Sequence, residues 1–79
     1  MRSDEAVNWI AEVFEEPAGR INADTLRKEV PGWDSLGTLS LIAALDERFD
    51  IQLSEKEMGD LARISDIIDI LRRKGAVEG

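Results

Sequence analysis

Ser35, in the run Asp34-Ser35-Leu36, is the side chain of this sequence best placed to carry chemistry. It stands at the predicted start of the longest amphipathic helix, where backbone N–H groups have no partner within the helix. Serine at such a position commonly accepts a hydrogen bond from one of those N–H groups, and three of the other four serines, Ser3, Ser54 and Ser65, also stand where helix caps are predicted. Asp34 can make the same bond, which would leave the Ser35 hydroxyl free, and a phosphate attached to that hydroxyl would be stabilised by the helix N-terminus. The residues alone leave both interpretations open.

The sequence contains no histidine and no cysteine. Ser35 therefore has no histidine to deprotonate it, and nothing in the sequence supports it as a catalytic nucleophile. If Ser35 is modified, another enzyme must modify it. Residues 46–57 have acidic residues at the first, fifth and last positions of an EF-hand loop, but Arg48 stands at the third position and Ile51 at the sixth, where glycine is needed. We therefore expect no metal site.

The charge of the chain is concentrated near Ser35. The whole sequence has 17 acidic and 10 basic residues, a net charge of −7, and residues 34–60 have seven acidic and two basic residues, a net charge of −5. Binding to a nucleic-acid backbone requires a basic surface, so we expect no nucleic-acid partner. A negative surface instead favours protein partners with basic patches.

The length of 79 residues predicts a single domain over residues 1–79. No apolar run approaches the length of a membrane span, and the N-terminal residues lack the pattern of a signal peptide. We therefore expect a cytoplasmic protein that has no membrane partner and acts as a monomer.

Helical periodicity predicts an all-α fold. Three longer helices are expected over Asp4 to Glu15, Ser35 to Phe49, and Ser65 to Lys74, and a short helix is expected after Ser54 with Glu57 completing a capping box. The predicted core residues of the first and last helices are Val7, Ile10, Val13, Phe14, Ile64, Ile67, Ile68 and Leu71.

A long connection, residues 16–33, separates the first two helices. Ile21, Leu26 and Val30 are spaced along it and are expected to attach it to the core, with a helical turn within residues 23–30. The predicted architecture is a small irregular four-helix bundle with three longer helices, one short helix and a long first loop.

The predicted second helix has apolar residues on two sides. Leu41, Ile42, Leu45 and Phe49 form a core stripe, whereas Leu36, Leu39 and Ala43 fall on the opposite side next to Asp46 and Glu47. A small bundle cannot easily bury both sides, so one interpretation is an exposed docking face of leucines bordered by carboxylates. The alternative is that Leu36 packs beneath the long loop and Leu39 is an isolated surface leucine.

The segment "GWDSLGTLSLIAALDERFDIQL", residues 32–53, resembles the centre of an acyl carrier protein, and the resemblance extends over the whole chain. It implies that the chain is a carrier and not an enzyme, and that a phosphopantetheinyl transferase attaches 4′-phosphopantetheine from coenzyme A to Ser35. The thiol of that cofactor would carry acyl groups as thioesters. The resemblance also implies that Asp34, Leu36, Leu39, Asp46 and Glu47 dock acyl-loading and acyl-processing enzymes that have basic patches.

Three residues depart from the pattern of carriers in fatty-acid synthesis. Gly37 and Ser40 replace carboxylates that are usual there, and Arg48 adds a positive charge. Trp33 before the motif is a further difference. These changes favour a specialised carrier that serves a secondary-metabolite, surface-polysaccharide or aminoacyl pathway.

Two other functions fit the sequence. A peptidyl or aminoacyl carrier would have the same fold and arm, and the run "PGWDSLG" favours it, whereas the net charge of −7 favours the acyl class. An unmodified acidic helical adaptor would use the same docking face and would tolerate Ser35→Ala without loss of function.

Overall fold

A computed structural model describes residues 1–17 and 19–78 of the chain. Its elements are α1 (Ser3–Val13), a 3-10 turn (Arg27–Glu29), α2 (Ser35–Phe49), α3 (Glu55–Gly59) and α4 (Ile64–Arg73). Helix α1 packs against α2 and α4, and α3 packs against α2. The described residues contain no β-strand, so the predicted all-α bundle of three longer helices and one short helix is confirmed.

Helix α2 has the bounds that its sequence predicts, because both of its ends are specified locally. At its start, Asp34 has an extended backbone and its carboxylate accepts a hydrogen bond from Gly37 N. At its end, Asp50 adopts a left-handed conformation with φ of 56° and terminates the helix. Helix α3 begins as predicted, with Ser54 and Glu57 bonded reciprocally.

Ser3 and Ser65 do not cap their helices, and this part of the prediction is wrong. Helix α1 begins at Ser3, and the Glu5 carboxylate accepts a hydrogen bond from the preceding Arg2 N–H at 3.0 Å. Helix α4 begins at Ile64, one residue earlier than expected, and the Asp66 carboxylate accepts from the backbone N–H of Ala62 and Arg63. In both cases a carboxylate in the first turn satisfies the free N–H groups and replaces the serine hydroxyl.

The long loop is attached to the rest of the molecule by backbone hydrogen bonds as well as by apolar side chains. Ile21 and Val30 are buried, as predicted, whereas Leu26 is only half-buried and its backbone pairs with that of Arg63. Arg27 N donates to Ala62 O at 2.8 Å. The loop therefore has a fixed position over the connection between α3 and α4.

One hydrophobic cluster joins all four helices. Its fully buried large side chains are Ile10, Leu41, Leu45, Met58, Ile64, Ile67 and Leu71. Val7 and Val13, which were predicted in the core, are only partly buried at its edge, whereas Trp9 of α1, which was not predicted there, is buried. The Trp9 ring meets Phe49 of α2 edge-on at a centroid distance of 5.1 Å, which explains how α1 can bury so large a side chain.

Candidate functional site

Ser35 is the first residue of α2 and its side chain is exposed. The cap of the helix is Asp34, whose Oδ1 accepts a hydrogen bond from Gly37 N at 2.8 Å. Within residues 1–17 and 19–78, the Ser35 hydroxyl makes no hydrogen bond to a protein group. The prediction that Asp34 caps the helix is therefore confirmed, and the hydroxyl of Ser35 is free for other chemistry.

The loop segment before Asp34 approaches the first turn of α2 more closely than side chains would allow. A Cβ atom built on Gly37 would lie 1.8 Å from Gly32 O, and one built on Gly32 would lie 2.0 Å from Phe14 O. Both glycines are therefore required for backbone contact between the end of α1, the loop and α2. Gly37 is buried, so its lack of a side chain is a packing requirement and not only a missing carboxylate.

Trp33 fixes the residue that precedes Asp34. Its ring is 4% exposed and is stacked on Phe14 with a centroid distance of 5.2 Å, and its backbone N donates to Val30 O at 2.9 Å. The indole Nε1 is buried and has no hydrogen-bond partner among the described residues. Stacking and burial thus hold Trp33 in place although its N–H is unsatisfied.

Arg27 is a neighbour of Ser35 that the sequence pattern did not identify. Its guanidinium lies 5.4 Å from the centre of the Trp33 ring, and its Nη2 is 3.4 Å from the hydroxyl of the buried Thr38. The contact joins a loop residue to a helix residue, so helical periodicity carries no signal for it.

Ser35 and Arg27 line the same small groove of about 190 Å³, together with Thr38, Leu39, Glu55 and Gly59. Arg27 and Gly59 also line a larger, more open groove of about 690 Å³ that extends over Val30, Trp33 and Leu61. The two grooves share Arg27 and Gly59, so a group attached to Ser35 has a partly apolar surface beside it.

The exposed side of α2 is the side that the sequence suggested as a docking face. Leu36 is 74% exposed and Leu39 is 50% exposed, whereas Leu41 and Leu45 on the opposite side are fully buried. Leu36 therefore does not pack beneath the loop. Asp34, Asp46 and Glu47 are exposed as well, so the five predicted docking residues all lie on accessible surface.

From Leu36 to Glu47 this exposed side extends over about 16 Å of helix. Ala43 and Ser40 are exposed between its ends. The positive charge of Arg48 is directed elsewhere, because its guanidinium lies 5.3 Å from the Phe49 ring and 5.8 Å from the Trp9 ring. The surface is therefore apolar along its centre and acidic at its border.

Two further features of the described residues bear on the class of site. The described helices include none with the length and hydrophobicity that a membrane span needs. Acidic side chains in the described ranges form no group of three or more that could hold a metal ion.

Comparisons with known proteins agree with the resemblance in the sequence. No protein-family model matches the chain. An acyl carrier protein of Trieres chinensis is 28% identical over 78 residues, covering 94% of this chain and 98% of that protein. An acyl carrier protein of Prochlorococcus marinus is 28% identical over 65 residues, covering 82% of this chain and 81% of that protein.

The fold of the chain is also similar to that of a solved acyl carrier protein. The solution structure of a holo acyl carrier protein from Geobacter metallireducens superimposes with a TM-score of 0.74 and 26% identity, covering 96% of this chain and 88% of that one. The chain is thus similar to acyl carrier proteins both in sequence and in fold. This similarity supports a carrier role, and the exposed serine at the start of α2 is the candidate attachment point for a carried group.

Proposed function

We propose that this chain is an acyl carrier protein, which carries acyl groups on a 4′-phosphopantetheine arm attached to Ser35 and presents them to partner enzymes. The observation that supports this best is that Asp34, and not Ser35, caps helix α2. Asp34 completes the helix cap, so the exposed hydroxyl of Ser35 can be modified without loss of a hydrogen bond that stabilises the fold.

The attachment is a group transfer catalysed by a phosphopantetheinyl transferase. The Ser35 Oγ attacks the phosphorus of coenzyme A that bears pantetheine, and a new Oγ–P bond forms. The P–O bond of the pyrophosphate breaks and adenosine 3′,5′-bisphosphate leaves, while the hydroxyl proton passes to a base of the transferase. This chain contributes only the nucleophilic oxygen, since the sequence has no histidine that could act as the base.

The residues around Ser35 fit a phosphodiester. The first turn of α2 has backbone N–H groups without intrahelical partners, and the positive end of the helix dipole favours an anion there. When bound, the arm supplies a thiol that holds the acyl group as a thioester, and this accounts for a carrier without cysteine.

The exposed side of α2 is the proposed docking face for the transferase and for enzymes that load and process the acyl group. Leu36 and Leu39 offer an apolar contact, and the carboxylates of Asp34, Asp46 and Glu47 suit a basic border on the partner. Charged rims of this kind increase association rates more than they strengthen binding, which suits a carrier that must leave each enzyme.

The same face supports a specialised set of partners. Position 37 presents no side chain because Gly37 is buried against Gly32, and Ser40 presents a neutral hydroxyl. Enzymes that require carboxylates at these two positions would find neither. We infer that the partners of this chain contact the ends of the helix, near Asp34 and near Glu47.

The proposal is tested by the intact mass of the purified chain after incubation with coenzyme A and a broad-specificity phosphopantetheinyl transferase. Wild type and Ser40→Ala should each gain the mass of one phosphopantetheine group, and Ser35→Ala should gain nothing. Ser40 is the matched control because it is exposed on the same helix. An unmodified wild type, or an equal gain in Ser35→Ala, would exclude the proposed attachment and favour the adaptor function.

A further inference from the structure

We propose that Arg27 binds the phosphodiester of the arm on Ser35 and so holds the first part of the arm against the loop. This inference rests on the proposed function, because it requires a phosphopantetheine group at Ser35. It assigns a role to a residue outside the docking face.

The position of Arg27 relative to Ser35 follows from Thr38. Ser35 and Thr38 are three residues apart on α2 and are neighbours on one face, with Cβ atoms about 5–6 Å apart. Arg27 Nη2 lies 3.4 Å from Thr38 Oγ1, so the guanidinium lies beside the face of α2 that includes Ser35, in the groove that both residues line. A phosphate on Ser35 Oγ is thereby within range of a side chain whose planar fork matches phosphate oxygens.

Arg27 is available for an anion. No carboxylate of the described residues lies within 4 Å of its guanidinium, although the whole chain has 17 acidic residues. Its contact with Thr38 is long for a hydrogen bond, and most of its five N–H donors have no protein partner there.

The guanidinium is also held in place before any ligand binds. It lies 5.4 Å from the centre of the buried Trp33 ring, and the backbone N of Arg27 donates to Ala62 O at 2.8 Å. A cation–π contact and a fixed backbone reduce the conformational entropy that Arg27 would lose on binding.

The charges around the groove explain why such a cation is needed. Glu55 lines the same groove, so a phosphodiester there would have a carboxylate nearby, and Asp34 adds a second negative charge next to Ser35 in the sequence. Among the described residues that line the groove, Arg27 is the one with a positive charge. Pairing with Arg27 offsets that repulsion and directs the arm toward the larger groove that Arg27 also lines.

Nuclear magnetic resonance of the apo and holo protein tests the inference. The Arg27 Nε–H and Trp33 indole N–H signals should move by several linewidths on conversion to the holo form, while the Trp9 indole signal, near Arg48 instead, should not. The ³¹P signal of holo Arg27→Gln should differ from that of the holo wild type. Holo Arg20→Gln, which changes an exposed arginine of the same loop, should match the wild type.

The wild-type measurement does not depend on the folding of a variant. An Arg27 signal that stays in place on conversion to the holo form overturns the inference, and so does a ³¹P signal that is the same in all three proteins. An Arg27 signal that moves only after the arm is loaded with a carboxylate-ended acyl group, such as succinyl, also overturns it, because the cargo would then be the anion bound. Failure of the chain to gain any mass would instead contradict the proposed function.

Discussion

Gly37 of α2 lies so close to Gly32 of the loop that a Cβ atom on Gly37 would be 1.8 Å from the Gly32 carbonyl oxygen. The contact brings the loop directly onto the first turn of the helix that begins with Ser35. It also places Phe14 Cδ1 3.3 Å from the same Cβ position, so α1 meets the contact as well. The start of α2 is therefore positioned by backbone packing that no other residue type at 37 allows.

Gly37→Ala should lower the free energy of unfolding by about 1–3 kcal/mol, since a crowded backbone carbonyl must move to make room. This loss should outweigh the gain of about 1 kcal/mol that alanine normally brings to a helix interior. Urea unfolding measures the difference. Gly59→Ala is the matched control, because a Cβ there meets nothing within 4 Å, and it should be neutral or stabilising. A Gly37→Ala protein as stable as Gly59→Ala would show that the loop does not need this contact.

Asp34→Ala should destabilise the protein by about 0.5–2 kcal/mol, because Gly37 N loses its side-chain acceptor. Asp34→Asn retains an oxygen that can accept the bond and should retain most of the stability. Comparing the two variants thus separates the effect of the lost hydrogen-bond acceptor from the effect of the lost negative charge.

Asp34→Asn should remain folded. If Asp34 also contributes to docking, the transferase should modify this variant more slowly than the wild type at low salt. Thermal unfolding and the initial rate of mass gain measure the two effects. Equal destabilisation by both variants would contradict the capping role, and an unchanged rate in Asp34→Asn would remove Asp34 from the docking face.

Leu36→Ala should leave the free energy of unfolding within about 0.5 kcal/mol of the wild type, since the side chain is 74% exposed. It should nevertheless slow modification by the transferase, because the proposed apolar contact is lost. Leu41→Ala is the contrasting variant, because it truncates a buried leucine and not an exposed one. Leu41 is fully buried on the other side of the same helix, and its truncation should cost about 2–5 kcal/mol. If Leu36→Ala is destabilised to the same extent, or is modified as fast as wild type, Leu36 is not a docking residue.

The features that the sequence predicted are those determined by residues near one another in the chain. The bounds of α2, the cap by Asp34 and the two sides of the helix follow from spacing and from short-range hydrogen bonds. The false expectations for Ser3 and Ser65 have a similar local origin. Serine and a first-turn carboxylate compete for the same N–H groups, and the carboxylates of Glu5 and Asp66 make the bonds.

The features that the sequence did not predict depend on how the long loop folds back onto α2. Arg27 meets Trp33 and Thr38 only because the loop pairs with the connection between α3 and α4. The sequence showed Gly37 only as the absence of a carboxylate, whereas the structure shows that its contact with Gly32 requires a glycine there. No periodicity or cap in the chain encodes either contact.

The most direct measurement of the central claim is the location of the modification by tandem mass spectrometry. Trypsin releases residues 29–48 as one peptide, which contains both Ser35 and Ser40. After reaction with coenzyme A and the transferase, fragment ions should place the phosphopantetheine group on Ser35 alone. Assignment to Ser40 or to another peptide, or a peptide 29–48 that stays unmodified, would contradict the account.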